Sequence, residues 1–137
     1  MEKKVLDLPL KKEWYNMIES GVKTEEYREI KPYWCNRLLY HTSLGVKEYW
    51  TDVLKQTHQF IEKYKDAKTP PTYNELLLRN YGIRDYTHVR FRYGYTKRTM
   101  TYEIKGIVIG RGKEEWGHTT EEDVFIIKLG EKIDETW

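Results

Sequence analysis

Apolar positions near the start of the chain change from a strand-like to a helix-like spacing. The apolar run over residues 5–10 is interrupted by Pro9, which predicts an edge strand or the end of a strand because proline cannot donate to a neighbouring strand. Trp14 and Ile18 then recur at helical spacing and predict a short helix from Lys11 to Glu19.

The last third of the chain alternates apolar and polar residues. Residues 88–93 place valine, phenylalanine and tyrosine on one face and histidine and two arginines on the other, as in a half-buried antiparallel strand. A hairpin connection over 94–99 leads into a long strand over 100–109, and a further strand covers 124–129. Strands of this kind, combined with a few helices, predict an α+β fold with a small barrel.

Residues 32–82 have helical spacing and are expected to form an insertion. A long amphipathic helix is predicted from about Val46 to Ala67. Thr72 and Glu75 predict a capping box for a last short helix, which we expect Gly82 to close. We expect the insertion to be a lid that buries its apolar stripe on the barrel. The alternative is a face that binds a protein partner, carried by Trp50, Phe60 and Tyr64.

Composition indicates one ordinary domain with a heavily ionic surface. The chain has 137 residues, of which 39% are hydrophobic and 34% are charged, and we expect a single domain over residues 1–137. No apolar run approaches the roughly 20 residues that a membrane span needs. Cys35 is the single cysteine, so no intramolecular disulfide can form, which is typical of a reducing compartment and favours the cytoplasm.

The net charge of +2 hides a basic excess between residues 84 and 113 and an acidic excess after residue 114. A basic stretch can steer phosphates towards one face, although it can also pair with an acidic strand across the sheet. A nucleic-acid surface here would consist of Arg90, Arg92, Lys97, Arg98, Lys105 and Arg111.

A glycine, a lysine, a glutamate and an arginine occur in the spacing G-x-K-x-x-E-x-R after the first helix. Gly21 stands where a left-handed residue is expected to end that helix. Glu26 and Arg28 share a face of the extended stretch from Thr24 to Ile30, because residues two apart in a strand point the same way. Lys23 can lean over the same point. The three charges can form a polar ligand site, or a solvated surface cluster.

This segment resembles the signature of ASCH domains, a branch of the PUA-like β-barrel superfamily. Further similar segments are Phe91–Tyr95, Tyr102–Ile107, Gly110–Gly112, Trp116–Gly117 and Val124–Gly130. The resemblance covers residues 1–35 and 86–133 and leaves the middle uncovered. It implies a small PUA-like barrel that carries the helical insertion over about residues 32–82. It also implies RNA binding, which is widely proposed for ASCH domains.

The first functional hypothesis is therefore the binding of RNA or a nucleotide-like ligand. Lys23 and Arg28 would contact a phosphate or a carbonyl edge, and arginine adds a planar, two-donor geometry. Glu26 would accept from an amine or a ribose hydroxyl, or hold Arg28 in position. Aromatic rings near the motif could stack on a base, a contact worth about 1–3 kcal/mol. These candidates are Tyr27, Trp34, Tyr93 and Trp116.

The second hypothesis is a hydrolase. Some small ASCH proteins resemble amidohydrolases of acylated cytidine nucleosides, whose key residues include a lysine at the position of Lys23 and a threonine at that of Glu26. A further acid comes from a later strand, where Glu103 is the best candidate. Here Thr24 lies two residues early, so the hydroxyl nucleophile is missing and Glu26 would act as a base for water. Ribonuclease activity, described for some ASCH relatives, needs only cations and a base.

Other chemistry finds no support in the residue pattern. The four histidines are scattered without metal-ligand spacing, and His118 is interpreted as a surface residue. No phosphate-cradling glycine loop and no serine nucleophile elbow occurs. We therefore expect neither a metal nor a cofactor.

Overall fold

The computed structural model describes residues 2–42 and 49–134. Its strands are β1 (Val5–Leu10), β2 (Glu25–Glu29), β3 (Leu39–His41), β4 (Tyr81–Ile83), β5 (His88–Tyr93), β6 (Thr99–Gly110) and β7 (Val124–Ile133). Its helices are α1 (Lys12–Glu19), α2 (Pro32–Leu38), α3 (Trp50–Lys63), α4 (Tyr73–Leu77) and a 3-10 helix over Glu114–Trp116. The predicted α+β class is confirmed.

Five strands form one strongly curled sheet, a half-barrel, in the order β1-β5-β6-β7-β2. Strand β1 runs parallel to β5, and the other neighbours are antiparallel. The strands β1 and β2 lie at the two edges, so the edge position predicted from Pro9 is confirmed. Strands β3 and β4 pair in a separate two-stranded sheet that the sequence pattern did not indicate.

The core lies on the inner face of the half-barrel. The alternation predicted for β5 is confirmed, since Val89 and Phe91 are fully buried while Arg92 is exposed. Helix α1 covers this face with its buried Tyr15 and Ile18, and the Tyr102 hydroxyl of β6 donates to the Ile18 carbonyl at 3.2 Å. Each large apolar side chain buried in this way contributes about 1.5–3 kcal/mol.

The helical insertion differs from the expectation in several places. The long helix begins at Trp50 and ends at Lys63, and residues 46–48 of the predicted helix lie outside the described residues. Thr72 caps α4 as predicted, because its hydroxyl accepts from the Glu75 amide at 3.2 Å. Trp50 is buried against Tyr81, at 4.7 Å between ring centroids, and so is not part of an exposed partner face.

The role predicted for Gly82 is wrong. This glycine does not close a helix but lies in β4, opposite Tyr40 of β3. A β-carbon at this position would lie 2.4 Å from the Tyr40 ring, so the ring can lie across the strand only because residue 82 has no side chain.

The insertion has one feature expected of a lid and one expected of a face that binds a protein partner. Leu77 of α4 joins the core, as expected of a lid, whereas Phe60 of α3 and the following Tyr64 remain exposed.

Among the described residues, no helix has the length and apolar character needed to cross a membrane.

Candidate functional site

A cavity of about 530 Å³ lies where the edge strands β1 and β2 face each other. We call it the seam cavity; its lining consists of residues 9–11, 14, 23, 26–29, 31, 34, 116 and 117. Six of the predicted ligand residues line it, namely Lys23, Glu26, Tyr27, Arg28, Trp34 and Trp116. Three predicted residues do not, namely Gly21, Tyr93 and Glu103.

Gly21 acts on the cavity indirectly, through the turn that it makes after α1. Its φ of +84° lies in the left-handed region, as predicted, and its amide donates to the Ile18 carbonyl at 3.0 Å. The chain then folds back so that the Lys23 amide donates to the Met17 carbonyl, also at 3.0 Å. This turn directs the Lys23 side chain beneath the end of α1.

Lys23 is almost completely buried, with 2% of its surface exposed. Its ammonium donates to Glu26 Oε1 at 2.9 Å and to the Trp116 carbonyl at 3.0 Å. It also lies 4.4 Å from the centroid of the Trp14 ring, a cation–π contact. The ammonium has three N–H groups, and these three partners account for them. Trp14 was not predicted as a site residue, because helical spacing indicated only a packing role for it.

Arg28 connects the two edges of the half-barrel. Its Nη1 donates to Glu26 Oε2 and, at 2.8 Å, to the Tyr27 carbonyl. Its Nη2 reaches across to β1 and donates to the Pro9 carbonyl at 3.1 Å. The Trp34 ring lies beside the guanidinium, at 5.2 Å from Cζ to the ring centroid. Arg28 thus organises a carboxylate, an aromatic ring and both edge strands around one point.

This network has a consequence for acid–base chemistry. Glu26 is 4% exposed, and both of its carboxylate oxygens accept from cations, one from Lys23 and one from Arg28. A general base needs an oxygen within hydrogen-bond reach of the water that it activates. In this arrangement both Glu26 oxygens are already bound by neighbouring cations. The network is therefore better suited to fixing the positions of Lys23 and Arg28 than to activating a water.

The outer wall of the cavity is held by Tyr27. Its hydroxyl donates to Glu25 Oε1 at 2.9 Å and accepts from the Lys113 amide at 2.8 Å. Gly112 packs flat on the ring, since a β-carbon there would lie 2.5 Å from it. Burial, above all, raises the pKa of the Tyr27 hydroxyl, so it remains a hydrogen-bond donor at neutral pH.

His118 is buried, so its interpretation as a surface histidine is wrong. Its Nδ1 accepts from the Gly112 amide, and its Nε2 donates to the Glu122 carbonyl at 2.6 Å. The ring therefore carries its proton on Nε2 and connects the two ends of the loop that precedes β7. Its position beside Tyr27, at 6.0 Å between ring centroids, supports the cavity wall from behind.

Tyr93 and Glu103 lie outside the cavity for different reasons. Tyr93 packs edge-on against Tyr15 of α1, at 5.0 Å between ring centroids, so its ring is used for packing. Glu103 is exposed in the middle strand β6, where its backbone partner is His88 of β5. Strand β6 lies in the middle of the sheet, with one strand between it and each edge strand, and none of its residues lines the seam cavity.

The six predicted basic residues are spread along the sheet and do not gather at one point. Lys97 and Arg98 precede β6, whereas Arg111 follows it, and twelve residues of strand separate them by roughly 40 Å along the chain. Lys105 is exposed partway between. Several of the cations face acids: Arg90 lies 3.5 Å from Asp7, Arg98 lies 2.7 Å from Glu19 and Arg111 lies 3.9 Å from Asp123.

Comparison of the chain with protein-family models, curated proteins and solved structures found no match. Within residues 2–42 and 49–134, no group of three or more histidine, cysteine, aspartate or glutamate side chains is arranged to hold a metal ion. Function is therefore inferred from the side chains and backbone groups that line the seam cavity.

Proposed function

We propose that the chain is a PUA-like domain of the ASCH type that binds RNA or a nucleotide-like ligand in the seam cavity. The observation that carries this proposal is the meeting of Lys23, Glu26 and Arg28 at one point of a concave site with aromatic walls. A volume of about 530 Å³ falls within the range of small-molecule sites, which is about 300–1,000 Å³.

Arg28 supplies the recognition of ligand oxygens. A guanidinium has five N–H groups, and three of them are used by Glu26, Tyr27 and Pro9. Within the described part of the chain the other two have no hydrogen-bond partner. They can donate to a carbonyl edge or a phosphate, because Glu26 and the Pro9 carbonyl fix the orientation of the guanidinium.

The rest of the lining suits a base and a phosphate. Trp34 is partly exposed, with Tyr33 packed edge-on against it and Arg37 Cζ 5.8 Å from its centroid, and the remaining ring surface can stack on a base. Trp116 is buried and lines the cavity together with Gly117. Lys11 is exposed at the rim, where it can attract an anionic group, whereas the exposed Lys31 is already paired with Glu29 at 2.6 Å. Glu26 positions Arg28 through their ion pair, and Lys23 in turn holds Glu26, so neither needs to touch the ligand.

A hydrolase remains the second candidate function, because the contact between Lys23 and Glu26 pairs a cation with a carboxylate inside a cavity. Incubation with acylated nucleosides and short RNAs, followed by chromatography, tests it. A product formed by the intact protein but not by Glu26→Gln, under conditions where circular dichroism shows that the variant is folded, would favour catalysis. We expect no product, because both Glu26 oxygens are already engaged.

The binding proposal is tested by titrating mononucleotides into the protein and following tryptophan fluorescence and heat. Trp34→Ala should weaken the affinity about 5- to 150-fold, the equivalent of about 1–3 kcal/mol of stacking. Phe60→Ala is the matched control, since Phe60 is an exposed aromatic residue on α3 and should leave binding unchanged.

A second pair of variants separates charge from geometry. Arg28→Lys keeps the positive charge but loses the two remaining N–H groups, and should lower affinity at least tenfold. Lys55→Ala, which removes an exposed cation of α3, should have no effect. Binding that is unaffected by both Trp34→Ala and Arg28→Lys would contradict a ligand site in the seam cavity.

A further inference from the structure

The connection between β5 and β6 presents an exposed tyrosine among cations. Tyr95 is 99% exposed, more than any other large hydrophobic residue in the described part of the chain. Lys97 and Arg98 follow it and are exposed, and Arg92 precedes it on β5. Proteins that bind single-stranded nucleic acid commonly combine positively charged residues with aromatic rings on which bases stack.

The turn that carries Tyr95 is ordered by its own hydrogen bonds. The Thr96 hydroxyl donates to the Tyr93 carbonyl at 2.7 Å and accepts from the Arg98 amide at 3.2 Å. The Arg98 guanidinium lies over the Tyr93 ring, at 4.8 Å from the centroid, and Glu19 of α1 holds it at 2.7 Å. The Tyr95 side chain is therefore displayed on a fixed turn, with Glu19 neutralising one of the nearby cations.

This turn adjoins the seam cavity directly. The Gly94 amide donates to the Leu10 carbonyl at 2.9 Å, and Leu10 and Lys11 line the cavity. The Lys12 side chain passes close to Gly94, where a β-carbon would lie 3.6 Å from it, and continues over the Tyr93 ring. Because consecutive Cα atoms are 3.8 Å apart, Tyr95 lies within a few residues' length of the cavity rim.

We infer that the ligand of this protein is single-stranded nucleic acid, with one nucleotide in the seam cavity and a neighbouring base stacked on Tyr95. The connecting phosphates would pass over Lys11 and Lys12, and Lys97 would face the phosphates beyond the tyrosine. The inference rests on the proposed function and extends it from a single nucleotide to a strand. Base stacking tolerates any sequence, so recognition at Tyr95 is not base-specific.

The test compares a mononucleotide with hexanucleotides of the same base, in RNA and in DNA form, by calorimetry and by fluorescence anisotropy of the labelled strand. The wild-type protein should bind a hexanucleotide at least about tenfold more tightly than the mononucleotide. Tyr95→Ala should weaken hexanucleotide binding about 5- to 150-fold and leave mononucleotide binding unchanged. Tyr49→Ala is the matched control, because Tyr49 is 75% exposed beside α3, and it should change neither affinity.

Salt dependence provides a second readout. Lys97→Ala should reduce the slope of log affinity against log salt for the hexanucleotide by about 0.7, the value for one phosphate contact on a single strand. It should not alter the slope for the mononucleotide, which does not reach Lys97.

The outcomes separate the two proposals. Equal affinities for mononucleotide and hexanucleotides, or hexanucleotide binding that Tyr95→Ala leaves intact in both RNA and DNA, would overturn the strand inference while the cavity proposal stands. Failure of every mononucleotide and hexanucleotide to bind would overturn the proposed function itself. Tyr95→Ala can be expected to fold, since the side chain makes almost no contact with the protein.

Discussion

Two lysine–glutamate pairs in this protein share a spacing and a distance and differ in their surroundings. Lys23 and Glu26 are three residues apart with 2.9 Å between nitrogen and oxygen, and so are Glu62 and Lys65 of the insertion. The side chains of the first pair are 1% and 5% exposed, whereas both side chains of the second are 59% exposed. The same short-range pattern therefore builds a buried site in one region and a solvated contact in the other.

The partners of each pair explain the difference. Around Lys23 and Glu26, the Trp116 carbonyl, the Trp14 ring and Arg28 take the place of water. Removing one member of such a buried pair leaves an uncompensated charge, which costs about 3–5 kcal/mol. Water fills that role for an exposed pair, so its contribution to stability is small. Burial, rather than spacing or distance, decides what an ion pair does.

The largest effect is expected from breaking the buried pair. Glu26→Gln should lower the free energy of unfolding by about 3–5 kcal/mol, because Lys23 and Arg28 would then share a site without a counter-charge. Urea denaturation measures this change. Glu62→Gln is the matched control and should hardly move the transition. Similar losses from the two substitutions would mean that burial does not distinguish the pairs.

The next effect comes from the turn that delivers Lys23 to its partners. Gly21→Ala should destabilise the protein by about 1–2 kcal/mol, because a residue with a β-carbon is strained at a φ of +84°. Gly106→Ala is the control, since a β-carbon on this glycine of β6 would have no neighbour within 4 Å. The insertion pair needs no such turn, because α3 and the residues after it bring Glu62 and Lys65 together locally. An equal response of both glycines to alanine would remove the turn from the explanation.

A third effect tests how burial alone changes the pKa of a group that has no ion pair, the thiol of Cys35. Burial raises the pKa of the Cys35 thiol from 9.0 to about 12. The unfolded chain therefore loses this proton first as pH rises, so stability should fall above pH 9 by about 1.4 kcal/mol per pH unit and level off near pH 12. Cys35→Ala should lack this part of the alkaline loss, which thermal unfolding at pH 8, 9 and 10 can measure. Parallel pH profiles for the two proteins would contradict it.

The smallest effect concerns the exposed pair. Its hydrogen bond to Lys65 lowers the pKa of the Glu62 carboxyl, so the stabilisation exists at neutral pH and is lost as pH falls through that lowered pKa. Salt at 1 M should screen the pair and bring Glu62→Gln and the wild type together in urea denaturation. The deficit of Glu26→Gln should persist in the same salt. Persistence of both deficits would show that the exposed pair is not screened by solvent.

Local sequence patterns correctly predicted the features that depend only on neighbouring residues. The alternation in β5 and the cap at Thr72 are set by neighbouring residues, and both are confirmed. The two-stranded sheet of β3 and β4 was not predicted, because strands of three residues are too short to show an alternation of apolar and polar residues. Gly82 was assigned to a helix end because its strand partner Tyr40 is distant in sequence. Only the position of the Tyr40 ring explains why residue 82 has no side chain.

The site was predictable in part. The charges of Lys23, Glu26 and Arg28 lie within six residues of one another, so their meeting follows from one turn and one strand. Trp14 and His118 could not be assigned, because their roles depend on which distant segments pack beside them. Arg111 was grouped with the other cations by sequence position alone, and the length of β6 carries it to the other end of the sheet.

The second partner of the Lys23 ammonium is a main-chain oxygen, the carbonyl of residue 116. No side-chain replacement at that position deletes it, whereas a change in backbone path beside Gly117, whose φ is +105°, would move it. A substitution of Trp116 that preserves the backbone path should therefore leave this acceptor in place. The glycine that follows therefore matters for anchoring the lysine, whereas the tryptophan ring matters for the lining of the cavity.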